Sequence, residues 1–201
     1  MKLGILISGR GSNMIAIAEA VQAGRISDAQ VAIVISDQPS AAGLLSAAER
    51  GIQTRVVERK GRPREEHDRE IVATLQAFDV DLVCLAGYMR VLSQEFLDAY
   101  RGRILNIHPS LLPAFPGLHP QRQALSAGVK WAGCTVHFVD EKLDGGPVVA
   151  QRKVAVHDDD TEESLSARIL VQEHALYPEA IALVLSRTRS EVVKRAEDNE
   201  H

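Results

Sequence analysis

Short runs without a polar side chain recur along the first half of the chain, each followed by a turn and a segment of helical apolar spacing. Leu3 to Ile7, Val31 to Ile35 and Leu82 to Ala86 are such runs, and Thr54 to Val57, which carries Thr54 and Arg55, reads as a further strand. A strand with one face in water alternates apolar and polar residues, so runs apolar throughout mark strands covered on both faces. The intervening segments read as helices. Met14, Ile17, Ala18 and Val21 recur at helical spacing, Ala41 to Arg50 is Ala-rich and stops at Gly51, and Glu65 to Phe78 and Ser93 to Tyr100 follow. Strands of this kind alternating with helices form a parallel sheet with right-handed crossovers, and ligands then belong at the carboxyl ends of the strands.

The second half breaks the pattern. After the strand Ile104 to Ile107, the stretch His108 to Pro120 holds four prolines in thirteen residues, which excludes helix or central strand there. Gly133 to Val139 and Pro147 to Val156 read as two strands joined by Asp140 to Gly146, a connection compatible with antiparallel pairing. Thr161 to Ser186 is mainly helical. The expected fold is α/β: a Rossmann-like, mostly parallel central sheet covered by helices on both faces, with an antiparallel part in the C-terminal half. No repeat or linker interrupts residues 1–186, which read as one domain whose halves, 1–100 and 101–186, share a sheet. Residues 187–201 read as a charged, frayed helical tail.

Composition narrows the partners. Against 27 acidic residues stand 23 basic ones, a net charge of −4, so no general field draws the chain to nucleic acid and any anion must be held locally. Cys84 and Cys134 are each flanked by apolar residues, as buried thiols are, and suit a reducing cytoplasm. No run approaches the roughly 20 apolar residues of a membrane span, and the first apolar run is shorter than a secretory core. The expectation is a cytoplasmic protein with small-molecule partners, no membrane and no nucleic acid, with monomer and homodimer both open.

Two constellations could carry chemistry. In Gly9-Arg10-Gly11-Ser12-Asn13, glycines at a strand-to-helix turn let backbone N–H groups point outward at a helix N-terminus, where a phosphate fits. The bland alternative is a tight turn with Ser12 or Asn13 as the helix N-cap. Asn106 and His108, two apart at a strand end, point to the same side of the sheet. An amide and a histidinium aimed at a carbonyl oxygen stabilise the charge it gains in acyl transfer, and a carboxylate such as Asp144 keeps the histidine protonated. Each of these residues could instead serve only a strand end, a loop or an Asx-turn. His137 shares a face with Thr135 and fits either the site or a satisfied core position. No metal-ligand spacing, nucleophile elbow or activated cysteine is present, which favours direct transfer between two bound substrates. The basic loop Arg59 to Arg64 reads as solvated surface, or as a contact for an acidic ligand tail.

Taken together, Ile7 to Asn13, Leu85 to Arg90, Leu105 to Pro113, Thr135 to Val139, Leu143 to Pro147 and Gln172 to Pro178 carry a resemblance. Over about residues 2–186 the chain closely resembles the phosphoribosylglycinamide formyltransferases, the folate-dependent transformylases of purine synthesis. The Asn-x-His-Pro-Ser-Leu-Leu-Pro segment with a later Asp-Gly-Gly-Pro is highly specific for the formyltransferase superfamily. The resemblance implies that the glycinamide amine attacks the formyl carbon of 10-formyltetrahydrofolate, a co-substrate, without a metal. Asn106 and His108 would stabilise the oxyanion, and Asp144 would hold and charge His108. Gly11, Ser12 and Asn13 would bind the ribonucleotide phosphate, with Gln172 and Glu173 contacting the other end of that substrate. Met89, Arg90, Val91 and Leu92 would form the folate pocket with Asp140, Glu141, Lys142, Leu143 and Asp144, and Arg64 matches a position near the folate. The second loop, ending in Gly145 and Gly146, has the freedom of a lid.

Two positions depart from the family pattern. Relatives often have a second histidine two residues after His119, where this chain has Gln121, and many have Asn where it has Asp37. Length and charge speak against a tRNA formyltransferase. A formyltetrahydrofolate hydrolase would share Asn106, His108 and Asp144 but have no use for a phosphate turn. A non-catalytic nucleotide- or folate-binding module is the remaining alternative.

Overall fold

The computed structural model describes the backbone of residues 1–198 and the side chains of residues 1–187. Seven strands form one sheet: β1 (Lys2–Ile7), β2 (Gln30–Ser36), β3 (Thr54–Val56), β4 (Leu82–Leu85), β5 (Ile104–His108), β6 (Trp131–Phe138) and β7 (Val148–Ala155). Their order is β3-β2-β1-β4-β5-β6-β7. β1 to β5 pair in parallel, whereas β5–β6 and β6–β7 are antiparallel, so the expected mixed architecture is the one observed.

Alternation along the strands divides the core into two layers. Leu3, Ile5 and Ile7 of β1 face α1 (Ser12–Gln22), α2 (Ala42–Glu49), α5 (Pro120–Ser126) and α6 (Glu162–Asp198). Leu6 of β1, Ile33 and Ile35 of β2 and Val83 and Leu85 of β4 face α3 (Arg64–Ala77) and α4 (Gln94–Ala99). α1 buries Met14 and Ile17, one turn apart, whereas α3, polar on its outer side, buries Ile71, Val72 and Leu75. Glu65 and Glu66 in the first turn of α3 complement its dipole. Ser93 caps α4, its hydroxyl accepting from the Phe96 amide at 3.3 Å.

One element differs from the sequence expectation. α5 was not foreseen; it begins at Pro120, where a missing N–H costs nothing, so the proline-rich stretch ends by starting a helix. α6 continues past Ser186 to Asp198, and residues 199–201 of the expected tail lie outside the described residues.

The sheet opens in two places at its carboxyl edge. β1 has β2 on one side and β4 on the other, which makes the ends of β1 and β4 a topological switch point. Pairing of β4 with β5 ends at Leu85 and Asn106. There the buried Tyr177 hydroxyl, from α6, donates to the carbonyls of Leu105 (2.9 Å) and Leu85 (3.1 Å), closing the split from below. Asn106 follows directly, on the open side.

Candidate active site

The antiparallel register of β5 and β6 sets Asn106 opposite His137 and His108 opposite Thr135, so four polar side chains share one face at the strand ends. His137 is 2% exposed, and its Nδ1 lies 2.8 Å from the Phe138 carbonyl. Burial lowers its pKa, so the ring is neutral: Nδ1–H donates to that carbonyl and Nε2 accepts. The Asn106 amide donates to this Nε2 at 3.2 Å, which fixes the amide and leaves its second N–H free to turn outward. His137 therefore belongs to the site.

His108 stands between two oxygens. Its Nε2 is 3.0 Å from the Phe115 carbonyl and its Nδ1 is 3.5 Å from Asp144 Oδ2, an arrangement that a doubly protonated ring satisfies on both edges. Asp144 Oδ2 also accepts from the Gly117 amide at 2.8 Å, and Oδ1 lies 3.8 Å from His137 Nε2. Asp144 takes a left-handed conformation, φ 51°, and its carboxylate reaches across to the proline-rich segment rather than closing a local Asx-turn. The sequence thus named three residues that the fold brings together, and His108 also makes the proline-loop contact of its bland alternative.

That segment is fastened from beneath. Thr135 Oγ1 donates to the Ser110 carbonyl at 2.7 Å and accepts from the Leu112 amide at 3.1 Å. Gln151 of β7 donates to both the Leu112 carbonyl (2.8 Å) and Thr135 Oγ1 (2.9 Å). Sequence reasoning missed Gln151, which no local motif marks. His119 is 61% exposed at its side chain and faces Glu162 at 3.9 Å, not the His108 cluster.

At the glycine turn, Gly11 (φ 73°) precedes α1, and no side chain caps the helix, so neither Ser12 nor Asn13 is an N-cap. The first helical bond runs from Ile15 N to Gly11 O, leaving the N–H groups before it unpaired within the helix. Asn13, 7% exposed, instead donates to Glu173 Oε2 at 2.7 Å, and its Oδ1 has no partner. Glu173 is 8% exposed; burial raises its pKa, and the Asn13 hydrogen bond offsets part of that rise. Glu173 therefore lies against the turn itself, not at a distance from it. Gln172 faces the other way, accepting from Arg152 at 3.4 Å. Ser12 also lines a cavity of about 380 Å³ with Ile15, Glu19, Arg25 and His174.

The segments expected to meet folate flank Asn106 and Asp144. Met89, Val91 and Leu143 are 70%, 59% and 65% exposed, whereas Leu92 is buried with Tyr88. Arg90 pairs with Asp37 at 2.9 Å. Asp140, Glu141 and Lys142 border a cavity of about 490 Å³ that reaches Leu97 and Arg101 near α4. Asp140 closes its own turn, accepting from the Lys142 amide at 2.9 Å. Arg64 begins α3, exposed, with Glu65 at 3.4 Å, and Arg62 of the basic loop is held by Glu66 and Glu70.

Residues 1–181 match the formyl transferase family model, and the chain belongs to that family. The chain is 46% identical to the phosphoribosylglycinamide formyltransferase of Escherichia coli over 183 residues, which is 90% of this chain and 86% of that protein. It superposes on a glycinamide ribonucleotide transformylase structure from Symbiobacterium toebii with a TM-score of 0.89, 51% identity and coverage of 92% and 87% of the two chains. It is also 47% identical to the trifunctional purine biosynthetic protein adenosine-3 of Drosophila melanogaster over 93% of its own length, but spans only 14% of that protein. These likenesses put it among the phosphoribosylglycinamide formyltransferases.

Proposed function

We propose that the chain transfers the formyl group of 10-formyltetrahydrofolate to the amine of glycinamide ribonucleotide. The observation that carries this reading is the meeting of Asn106, His108 and Asp144 at the open end of β5, on the sheet that also carries the glycine turn. The amine attacks the formyl carbon, a C–N bond forms, and the carbonyl electron pair moves onto oxygen. The free N–H of Asn106, held by neutral His137, donates to that oxygen. His108 exchanges the Phe115 carbonyl for the stronger oxyanion acceptor, with Asp144 stabilising its positive charge. Collapse of the intermediate breaks the bond to the folate nitrogen, and the amine proton passes through this polar cluster to the departing nitrogen.

The ribonucleotide phosphate takes the unpaired N–H groups of Ser12 and Asn13, a site suited to an anion in a chain of net negative charge. Glu173, held by Asn13, receives the remainder of that substrate, whereas Gln172, turned toward Arg152, does not reach the turn. The exposed apolar side chains of Met89, Val91 and Leu143 give a folate ring a surface to pack on, and Arg64 and Arg90 supply positive charge beside it. Direct transfer is supported by the cysteines: Cys84 and Cys134 are buried and their thiols are pushed up to about 12, so neither supplies a thiolate. No described helix is long and apolar enough to cross a membrane. The test is the absorbance change of a 10-formyl folate with and without glycinamide ribonucleotide. Formyl loss that requires the ribonucleotide is expected. Equal loss without it would assign a hydrolase, and folate binding without loss would assign a non-catalytic module.

A further inference from the structure

Asp37 ends β2 and is 2% exposed, a costly place for a carboxylate without partners. Its Oδ2 accepts from Arg90 Nε at 2.9 Å and from Gln38 Nε2 at 3.3 Å, while Oδ1 makes no hydrogen bond of ordinary length. Among the described residues, Arg90 is its close countercharge. Burial opposes the charge on Asp37, yet Ser8, Arg90 and Gln38 outweigh it and hold the carboxyl below its ordinary pKa.

The same short segment is tied at neighbouring points. Ser8, just after β1, donates its amide to the Gly87 carbonyl at 3.1 Å, and its hydroxyl accepts from the Met89 amide at 2.9 Å. The ends of β1 and β2 thus hold residues 87, 89 and 90 from beneath. Met89 and Val91 meanwhile turn their side chains to solvent, so apolar packing does not fix this part of the loop.

We propose that Asp37 is a positioning residue for the folate wall: by clamping Arg90 from below it sets the backbone of Met89 to Leu92 against which the co-substrate packs. The proposal rests on assigning that segment to the folate pocket. Asp37 itself touches no substrate and acts through Arg90.

Steady-state kinetics on the full chain tests this. Losing a charge-assisted hydrogen bond that is partly exposed on the Arg90 side should raise the folate KM about tenfold in Asp37→Ala and about threefold in Asp37→Asn, which keeps a neutral acceptor. Both kcat and the ribonucleotide KM should stay within about twofold, because the clamp bears on one substrate's wall. If Asp37→Ala does not fold, the isosteric Asp37→Asn carries the test. A merely structural role would lower the active fraction, seen as falling kcat at constant folate KM, and that result overturns the proposal. So does an equal rise in both KM values. Val91→Asp, on an exposed side chain, tests the underlying pocket separately. If it leaves the folate KM unchanged, the pocket assignment and the proposal fall together. If it raises that KM while Asp37→Ala does not, only the positioning role falls.

Discussion

Gly43→Ala should damage the phosphate turn from the outside. A methyl group at this position, near the start of α2, would lie 2.6 Å from Ile7 Cδ1, 3.0 Å from Gly11 Cα and 3.2 Å from the Gly9 carbonyl oxygen. The Ile7 methyl can rotate away, but the other two atoms are backbone of the turn, and the Gly43 amide donates to that same carbonyl at 3.1 Å. Either α2 or the turn must move by a few tenths of an ångström. Overpacking of this kind costs about 1–3 kcal/mol, which for a chain of this size lowers Tm by roughly 3–8 °C. A displaced set of N–H donors should raise the ribonucleotide KM roughly three- to tenfold and leave the folate KM alone. Gly11→Ala meets the same contact from the other side, 2.9 Å from Gly43 Cα, and adds the left-handed strain of φ 73°, about 1–2 kcal/mol more. Thermal denaturation and initial rates with each substrate varied would measure both variants. An unchanged ribonucleotide KM in Gly43→Ala, or an equal rise for folate, would refute the turn as the phosphate site.

Three further outcomes follow from the protonation states. Because burial raises the Glu173 pKa above 4.5, the folded chain holds that proton more tightly than the unfolded one, and stability falls as pH rises through the window beginning there. Glu173→Gln should be more stable than the parent at neutral pH, converge with it below that window, and bind ribonucleotide less well; parallel Tm–pH curves would contradict this. His137 has the opposite sign: its pKa is lowered from 6.5, so the unfolded chain gains the proton first and stability is lost as pH drops below 6.5. His137→Gln should flatten that acid limb and keep an acceptor for Asn106, whereas His137→Leu should lower kcat about tenfold, and equal kcat in the two variants would remove His137 from the site. Cys84 and Cys134, buried with thiols near 12, should react with a thiol reagent only as fast as the fold opens, and immediate labelling of the native chain would contradict their burial.

What the sequence shows and what it hides follow from the range of the interactions. Leu3 to Ile7, Val31 to Ile35 and Leu82 to Ala86 announce buried strands because burial on both faces is written in consecutive residues. Asn106 and His108 are legible as a pair because a strand has a period of two. Their link to Asp144 is not local; it depends on the φ 51° turn and the Gly117 amide, so the residues alone offer Asp144 only as a plausible carboxylate and the family resemblance adds its role. α5 escaped notice because the three prolines before it outweighed Pro120, which starts the helix. The Asp37–Arg90 pair, Tyr177 beneath the β4–β5 split and Gln151 under Leu112 all join residues far apart in the chain, and no spacing rule encodes such contacts. Asn13 looked equally suited to a helix cap; only the approach of α6 shows that Glu173 takes its amide.

The central claim is that Asn106, His108 and Asp144 perform the transfer. Its most direct test is single-turnover formyl transfer by His108→Ala with both substrates saturating, alongside the folate Kd of the same variant. Removing an oxyanion donor should slow transfer about 10²- to 10³-fold, with folate Kd within about threefold of the parent. Transfer within about tenfold of the parent would show that His108 does not stabilise the reacting oxygen.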